Sequence, residues 1–205
     1  DYIDAFCEEG YFSVADTERI LEAGLRYGLK GKVHVNQFTT LGGVEAAIRF
    51  SSRSIDHLEE LSDADLEVLK AHWSGNNGIT MPVALPSCSF FLRIPYTPAR
   101  RMLEAGLPLA IATDFNPGTT PSGNMNFVVS LACIQMRMTP EEAINAATVN
   151  AAHALDMGHK VGSLSIGHDA NFLVTKPISS IAYLPYAFGE NLVDKVFVGG
   201  ELFEG

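Results

Sequence analysis

The chain has 205 residues, enough for one domain of roughly 100–200 residues with an appendage. Acidic residues outnumber basic ones by 24 to 14, a formal net charge of −10. That balance disfavours nucleic acid and anionic membrane surfaces as partners, because phosphate binding needs clustered Lys and Arg. With 47% apolar and 9% aromatic residues the composition excludes a disordered tail, and no apolar run approaches the ~18 residues that span a bilayer.

Three cysteines, Cys7, Cys88 and Cys133, are odd in number, far apart and without a C-x-x-C pair. This usage fits a reducing, cytoplasmic compartment better than a disulfide framework. The chain opens on Asp1-Tyr-Ile-Asp-Ala-Phe, a strand-like run with no initiator Met and no basic-plus-apolar leader. The expectation is a fragment whose upstream sequence is missing.

In chain order, apolar spacing predicts a strand over 2–6 and then a helix from the Ser13 N-cap to Tyr27, with Gly28 near its end. A strand over 32–37, a helix over 41–50 and a strand over 54–59 follow. Ser62-Asp-Ala-Asp caps a helix running to Trp73, and a strand over 78–85 is stopped by Pro86. Thr97-Pro-Ala-Arg opens a helix with Pro at its first position, closed by Gly106. A strand over 108–113 and a helix over 126–138 come next, and Thr139-Pro-Glu-Glu caps a helix through Leu155. Five strands, each followed by a helix, imply βα units, a parallel sheet and right-handed crossovers.

After Met157 the texture changes. Strands are expected over 161–166, 170–174 and 194–199, with turns at Gly167-His-Asp-Ala and Val198-Gly-Gly-Glu. The organisation read from this is a barrel-type α/β unit over 1–158 and a small β unit over 159–205.

In βα architectures chemistry sits where strands end and loops begin. Three polar residues fall there: His34 in Lys-Val-His-Val-Asn-Gln, His57 in Ile-Asp-His-Leu-Glu-Glu, and Asp114 after Ala-Ile-Ala-Thr. A single strand histidine is most often a hydrogen-bonded core residue. Three such groups at one edge of one sheet are a stronger signal, and His, His, Asp suits a divalent metal or an acid–base pair. The loop Asn116-Pro-Gly-Thr-Thr-Pro-Ser reads either as an ordinary turn or as a substrate cradle beside Asp114. Cys7-Glu-Glu-Gly-Tyr-Phe-Ser could also line a site.

The remaining candidates are weaker. His72 is expected at the surface, His153 packed in a helix, and His159 and His168 solvated in loops. Cys88 has no basic partner nearby in sequence to make it a nucleophile. Leu41-Gly-Gly-Val lacks the Lys of a phosphate loop and the spacing of a dinucleotide fingerprint.

Several of these segments together resemble one family. They are Asp4-Ala-Phe-Cys-Glu-Glu-Gly-Tyr-Phe-Ser, His34-Val-Asn-Gln-Phe followed by Leu41-Gly-Gly, Asp56-His-Leu-Glu-Glu, and Ala112-Thr-Asp-Phe-Asn-Pro-Gly-Thr. Met136-Arg-Met-Thr-Pro-Glu-Glu-Ala, Thr148-Val-Asn-Ala-Ala and Gly162-Ser-Leu-Ser-Ile-Gly-His-Asp-Ala complete the set. In this order they resemble the C-terminal part of the imidazolonepropionase family, within the metal-dependent amidohydrolase superfamily.

The resemblance implies an amidohydrolase-type (β/α)8 TIM barrel, of which strands four to eight are present, plus part of a small β domain. It implies hydrolysis of 4-imidazolone-5-propanoate to N-formimidoyl-glutamate in histidine degradation, with one zinc or iron ion as cofactor. By that resemblance His34 and Asp114 are metal ligands, and His57 and Asp114 act in catalysis beside the activated water. Asn116, Gly118 and Thr119 match substrate-holding loop positions. Gln37 falls where some members carry a Glu; an amide there can hydrogen-bond the ring but cannot act as a base. No His-x-His occurs in the chain, so two further metal ligands are expected upstream. The expected partners are a small-molecule substrate and a second copy in a homodimer. The alternatives are another metal-dependent amidohydrolase (a deaminase or cyclic amidase), or a half-barrel fragment inactive by itself.

Overall fold

A computed structural model of the chain describes residues 1–74 and 78–203. Its first unit alternates strands and helices: β1 (Tyr2–Cys7), α1 (Val14–Arg26), β2 (Lys30–Val35), α2 (Gly43–Arg49), β3 (Ser54–His57), α3 (Asp63–Trp73) and β4 (Met81–Ala84). Then come α4 (Pro86–Leu92), α5 (Ala99–Glu104), β5 (Ala110–Ile111), α6 (Met125–Ile134), α7 (Pro140–Asn145), a π-helical turn over Ala146–Asn150 and α8 (Ala151–Ala154). The five strands form one parallel sheet in sequential order, β1-β2-β3-β4-β5. This is the arrangement expected of consecutive βα units, open at β1 and β5.

Side chains alternate across such strands. In β2, Val33 and Val35 are fully buried against the helices, while Lys32 and His34 lie on the other face. The register pairs Phe6 with His34, His34 with Asp56, and Val35 with His57. One core runs between sheet and helices, built on Leu21, Val33, Val35, Ile55, Leu69 and Met102. Helix α1 approaches β1 so closely that a Cβ at Gly24 would stand 2.5 Å from Ile3 Cγ2.

Three helices begin as their capping residues dictate. Ser13, Ser62 and Thr139 each accept from the backbone N–H three residues on, and Asp16, Asp65 and Glu142 reach back to complete the capping box. The long helix expected from Thr139 to Leu155 is interrupted by its π turn, where Asn150 Nδ2 donates to the Leu109 carbonyl at 2.8 Å beside β5.

Other expectations need correction. Pro86 stops the β4 strand but also opens helix α4 at its first turn, a position where its missing N–H costs nothing. Pro98 stands at the N-cap of α5 instead of inside it. Strand β5 is only two residues long, and β3 ends at His57, two residues earlier than expected.

The C-terminal unit is a three-stranded antiparallel sheet, β6 (Phe172–Thr175), β7 (Val193–Val198) and β8 (Glu201–Leu202), with the short helix α9 (Tyr183–Tyr186) between its first two strands. Phe172 and Phe197 stack across it at 4.5 Å. The strand expected over 161–166 is instead a run of bends and turns, entered and left through Gly162 and Gly167, both with positive φ. Leu164 and Ile166, the apolar residues behind that expectation, are exposed. No helix among the described residues is long and apolar enough to cross a membrane.

Candidate active site

The C-terminal ends of the strands open into a cavity of about 450 Å³ lined by His34, Gln37, His57, Cys88, Asp114 and Thr119, with Asp4, Phe6 and Tyr11 from β1 and the loop after it. The three strand-end residues singled out in the sequence therefore share one cavity. Gln37 and Thr119 line it too, whereas Asn116 and Gly118 are not among its lining residues, and Gly118 is exposed.

His34 projects from β2 with its Nδ1 2.8 Å from Asp4 Oδ1. Burial pulls its pKa down, but the hydrogen bond it donates to Asp4 and the charges of Asp4, Asp56 and Asp114 outweigh that and raise it above the ordinary value. Beside His34 in the register, Asp56 is buried, and burial pushes its carboxyl up despite Lys32 and His34 nearby. Its Oδ1 has no hydrogen-bond partner among the described residues.

Alternation along β3 assigns Asp56 to the cavity side and His57 to the helix side. His57 reaches the cavity because its backbone leaves the strand, with φ 88°, followed by Leu58 at φ 63°. Non-glycine residues hold such conformations only where their surroundings over-determine them. The result places the His57 ring 5.4 Å from His34 and 6.4 Å from Phe6. The His57 carbonyl accepts from Thr97 Oγ1 at 2.6 Å.

Asp114 also has a left-handed backbone, φ 55°. Asn116 Nδ2 donates to its carbonyl at 2.6 Å and to its Oδ2 at 3.2 Å. The Asn116 Oδ1 accepts from the backbone N–H groups of Gly118 and Thr119, both at 2.8 Å. The 116–119 segment is thus an Asx-type turn that fixes Asp114 and delivers the Thr119 hydroxyl to the cavity.

Gln37 is buried, and its Nε2 donates to Cys88 Sγ at 3.3 Å; Cys88 in turn donates to Thr119 Oγ1 at 3.5 Å. Burial pushes the Cys88 thiol up to about 11, with Asp114 and Glu59 adding to the rise. A neutral thiol is a poor nucleophile, so Cys88 acts here through its hydrogen bonds.

Two residues escaped the sequence reading. Glu8, at the end of β1, is buried and accepts from Gln37 N at 3.1 Å, Phe38 N at 2.9 Å, Glu9 N at 3.0 Å and the Thr39 hydroxyl. Burial alone would raise its carboxyl, but these donors hold it below the ordinary value. Glu59 lies under His57, with His57 Nδ1 3.4 Å from its Oε1. Both sit in segments quoted as motifs, Cys-Glu-Glu and His-Leu-Glu-Glu, yet nothing in spacing says which Glu turns inward. The other histidines stand apart from the cavity. His72 Nε2 accepts from Ile79 N and Thr80 N, both at 3.1 Å, so it ties down a loop and is not simply a surface group. His153, expected to be packed, is exposed.

Among the described residues no three His, Cys, Asp or Glu side chains are grouped closely enough to hold a metal ion. His34 and Asp114 remain as two candidate ligands on the same cavity.

A model of the amidohydrolase family matches residues 20–203. The chain belongs to the amidohydrolase family. Within it, the chain is similar to proteins named imidazolonepropionase. The relative from Flavobacterium johnsoniae is 59% identical over 202 residues, 98% of this chain and 48% of its own length. That from Christiangramia forsetii is 60% identical with the same coverage, and that from Alkaliphilus oremlandii 41% identical across 98% of this chain and 46% of its own length. The chain therefore spans about half the length of these curated relatives. Among solved structures, a zinc-bound adenosine deaminase from Xanthomonas campestris superposes with a TM-score of 0.76 at 18% identity, covering 94% of this chain and 49% of that one. E. coli guanine deaminase superposes with a TM-score of 0.73 at 13% identity, covering 92% and 52%. These likenesses establish the amidohydrolase fold of this chain as part of a barrel, with the small antiparallel sheet after it.

Proposed function

We propose that the protein carrying this chain is a metal-dependent hydrolase that opens the imidazolone ring of 4-imidazolone-5-propanoate to N-formimidoyl-glutamate, in histidine degradation. The similarity to imidazolonepropionases supports the substrate. The observation that carries the chemistry is the convergence of His34, His57 and Asp114 on one cavity at the strand ends.

The donor set fits a zinc or iron ion in kind. With Nδ1 of His34 held by Asp4, its Nε2 is left for a ligand bond, the carboxylate–histidine pairing typical of metal sites. Asp114 supplies a hard carboxylate oxygen, oriented by Asn116. His34 and Asp114 would hold the ion together with ligands from outside these residues. An ion there would supply Lewis acidity and an activated water.

This chain's own residues would do the rest. His57 would hold and pass a proton at the ring nitrogen facing the cavity, to the departing ring nitrogen of the substrate. Gln37, with its amide nitrogen engaged by Cys88, would turn its Oε1 to accept from a substrate N–H. Thr119, backed by the Asn116 turn, would place the ring against these groups, and such placement supplies a large part of the rate. In the full-length enzyme, His57→Ala should lower kcat by about 10²–10⁴-fold with metal content unchanged. Retained turnover would exclude this role.

A further inference from the structure

Glu59 is buried, with no exposed side-chain surface. Its Oε1 accepts from Ser89 Oγ at 2.8 Å, and its Oε2 has no hydrogen-bond partner among the described residues. His57 Nδ1 stands 3.4 Å from each of the two oxygens. Among the described residues, no Lys or Arg is at ion-pair distance from this carboxylate; His57 is its one possible cationic partner. A buried carboxylate oxygen without a donor is costly, and a proton on the His57 nitrogen that faces Glu59 offsets that cost.

The backbone explains how the two meet. Residues two apart on a strand share a face but stand well separated, whereas the left-handed conformations at His57 and Leu58 fold Glu59 back under the ring. Ser89 on α4 and Thr97 before α5 then hold Glu59 and the His57 carbonyl in place. The strain and both supports come from separate elements, and they converge on a single histidine.

We infer that Glu59 is the positioning residue of His57: it holds the proton on Nδ1 and so leaves Nε2 unprotonated towards the cavity. The inference rests on reading that cavity as hydrolytic. Glu59 touches no substrate; it acts through the imidazole. When Nε2 takes up a proton, the Nδ1–H stays directed at the carboxylate, as in other buried acid–histidine pairs.

The test uses the full-length protein without metal, with ¹⁵N-labelled histidine. Long-range ¹H–¹⁵N spectra assign the His57 tautomer directly, using His57→Ala to identify its signals. The expected result is an Nδ1–H tautomer in the wild type and a mixed or Nε2–H state in Glu59→Gln. In the loaded enzyme, Glu59→Gln should lower kcat by about 10²–10⁴-fold while KM and metal content stay within about twofold. Ser89→Ala, a milder change that keeps the carboxylate, should keep the Nδ1–H tautomer. An Nε2–H tautomer in the wild type, or an unchanged tautomer and kcat in Glu59→Gln, would overturn the inference. A wild type that shows the Nδ1–H tautomer but leaves the imidazolone intact would instead refute the substrate reading and leave the Glu59 role standing.

Discussion

The His34 and His57 rings stand 5.4 Å apart although the β2–β3 register pairs His57 with Val35, a residue of the opposite face. The contact exists because His57 abandons strand geometry at the last residue of β3. The second histidine of the cavity is therefore placed by a turn, and its position depends on whatever holds that turn.

Asp4 is the corresponding support for His34, through the 2.8 Å contact at Nδ1. Asp4→Ala in the full-length protein should weaken metal binding by about 10–100-fold, the usual effect of losing such a partner. Competition against a chelator of known affinity measures this. Unchanged affinity would show that His34 needs no partner.

Glu8 ties β1 to the loop after β2, and hydrogen bonds from Thr39, Phe38 and Glu9 hold its carboxyl below the ordinary value. Because the folded state binds the proton less readily than the unfolded chain, its contribution is complete above the unfolded-state pKa. It is lost as pH falls through the lower folded value. Urea unfolding should show Glu8→Gln destabilised by about 1–3 kcal/mol at neutral pH, with the gap from wild type narrowing in acid. A gap independent of pH would contradict the ionised role.

Cys88 carries a thiol pushed up to about 11 from an ordinary 9.0. Its thiolate fraction at pH 8 is then about 100-fold below that of an unperturbed thiol. Alkylation of Cys88 in the folded protein, followed by mass spectrometry, should be correspondingly slow and should rise with pH up to about 11. Rapid labelling at pH 8 would mean that the thiol is not held as described.

Gly24 leaves no room for a methyl group, with Ile3 Cγ2 2.5 Å from the Cβ position. Gly24→Ala should destabilise the fold by about 1–3 kcal/mol despite the better helix propensity of Ala. A stabilised variant would show that α1 can move away from β1.

The sequence made the capped helices and sequential strands legible, because Ser13, Ser62 and Thr139 each carry a local hydrogen-bonding instruction. It also showed which polar residues end strands, and His34, His57 and Asp114 do share a cavity. What it hid depends on long-range contact or positive φ. Periodicity puts His57 on the wrong face, and it cannot choose between Glu59 and Glu60 as the residue beneath the ring. Pro86 carries two instructions at once, ending β4 and opening α4, and only the first was visible. Leu164 and Ile166 read as strand residues because apolar content says nothing of whether a neighbouring strand is there to pair with.

The most direct test is turnover of 4-imidazolone-5-propanoate, with metal content, by the polypeptide extended to the full length of its relatives. The account predicts about one metal ion per chain, as at a single-ion hydrolytic site, and release of N-formimidoyl-glutamate. A metal-loaded protein that leaves the imidazolone ring intact would contradict it.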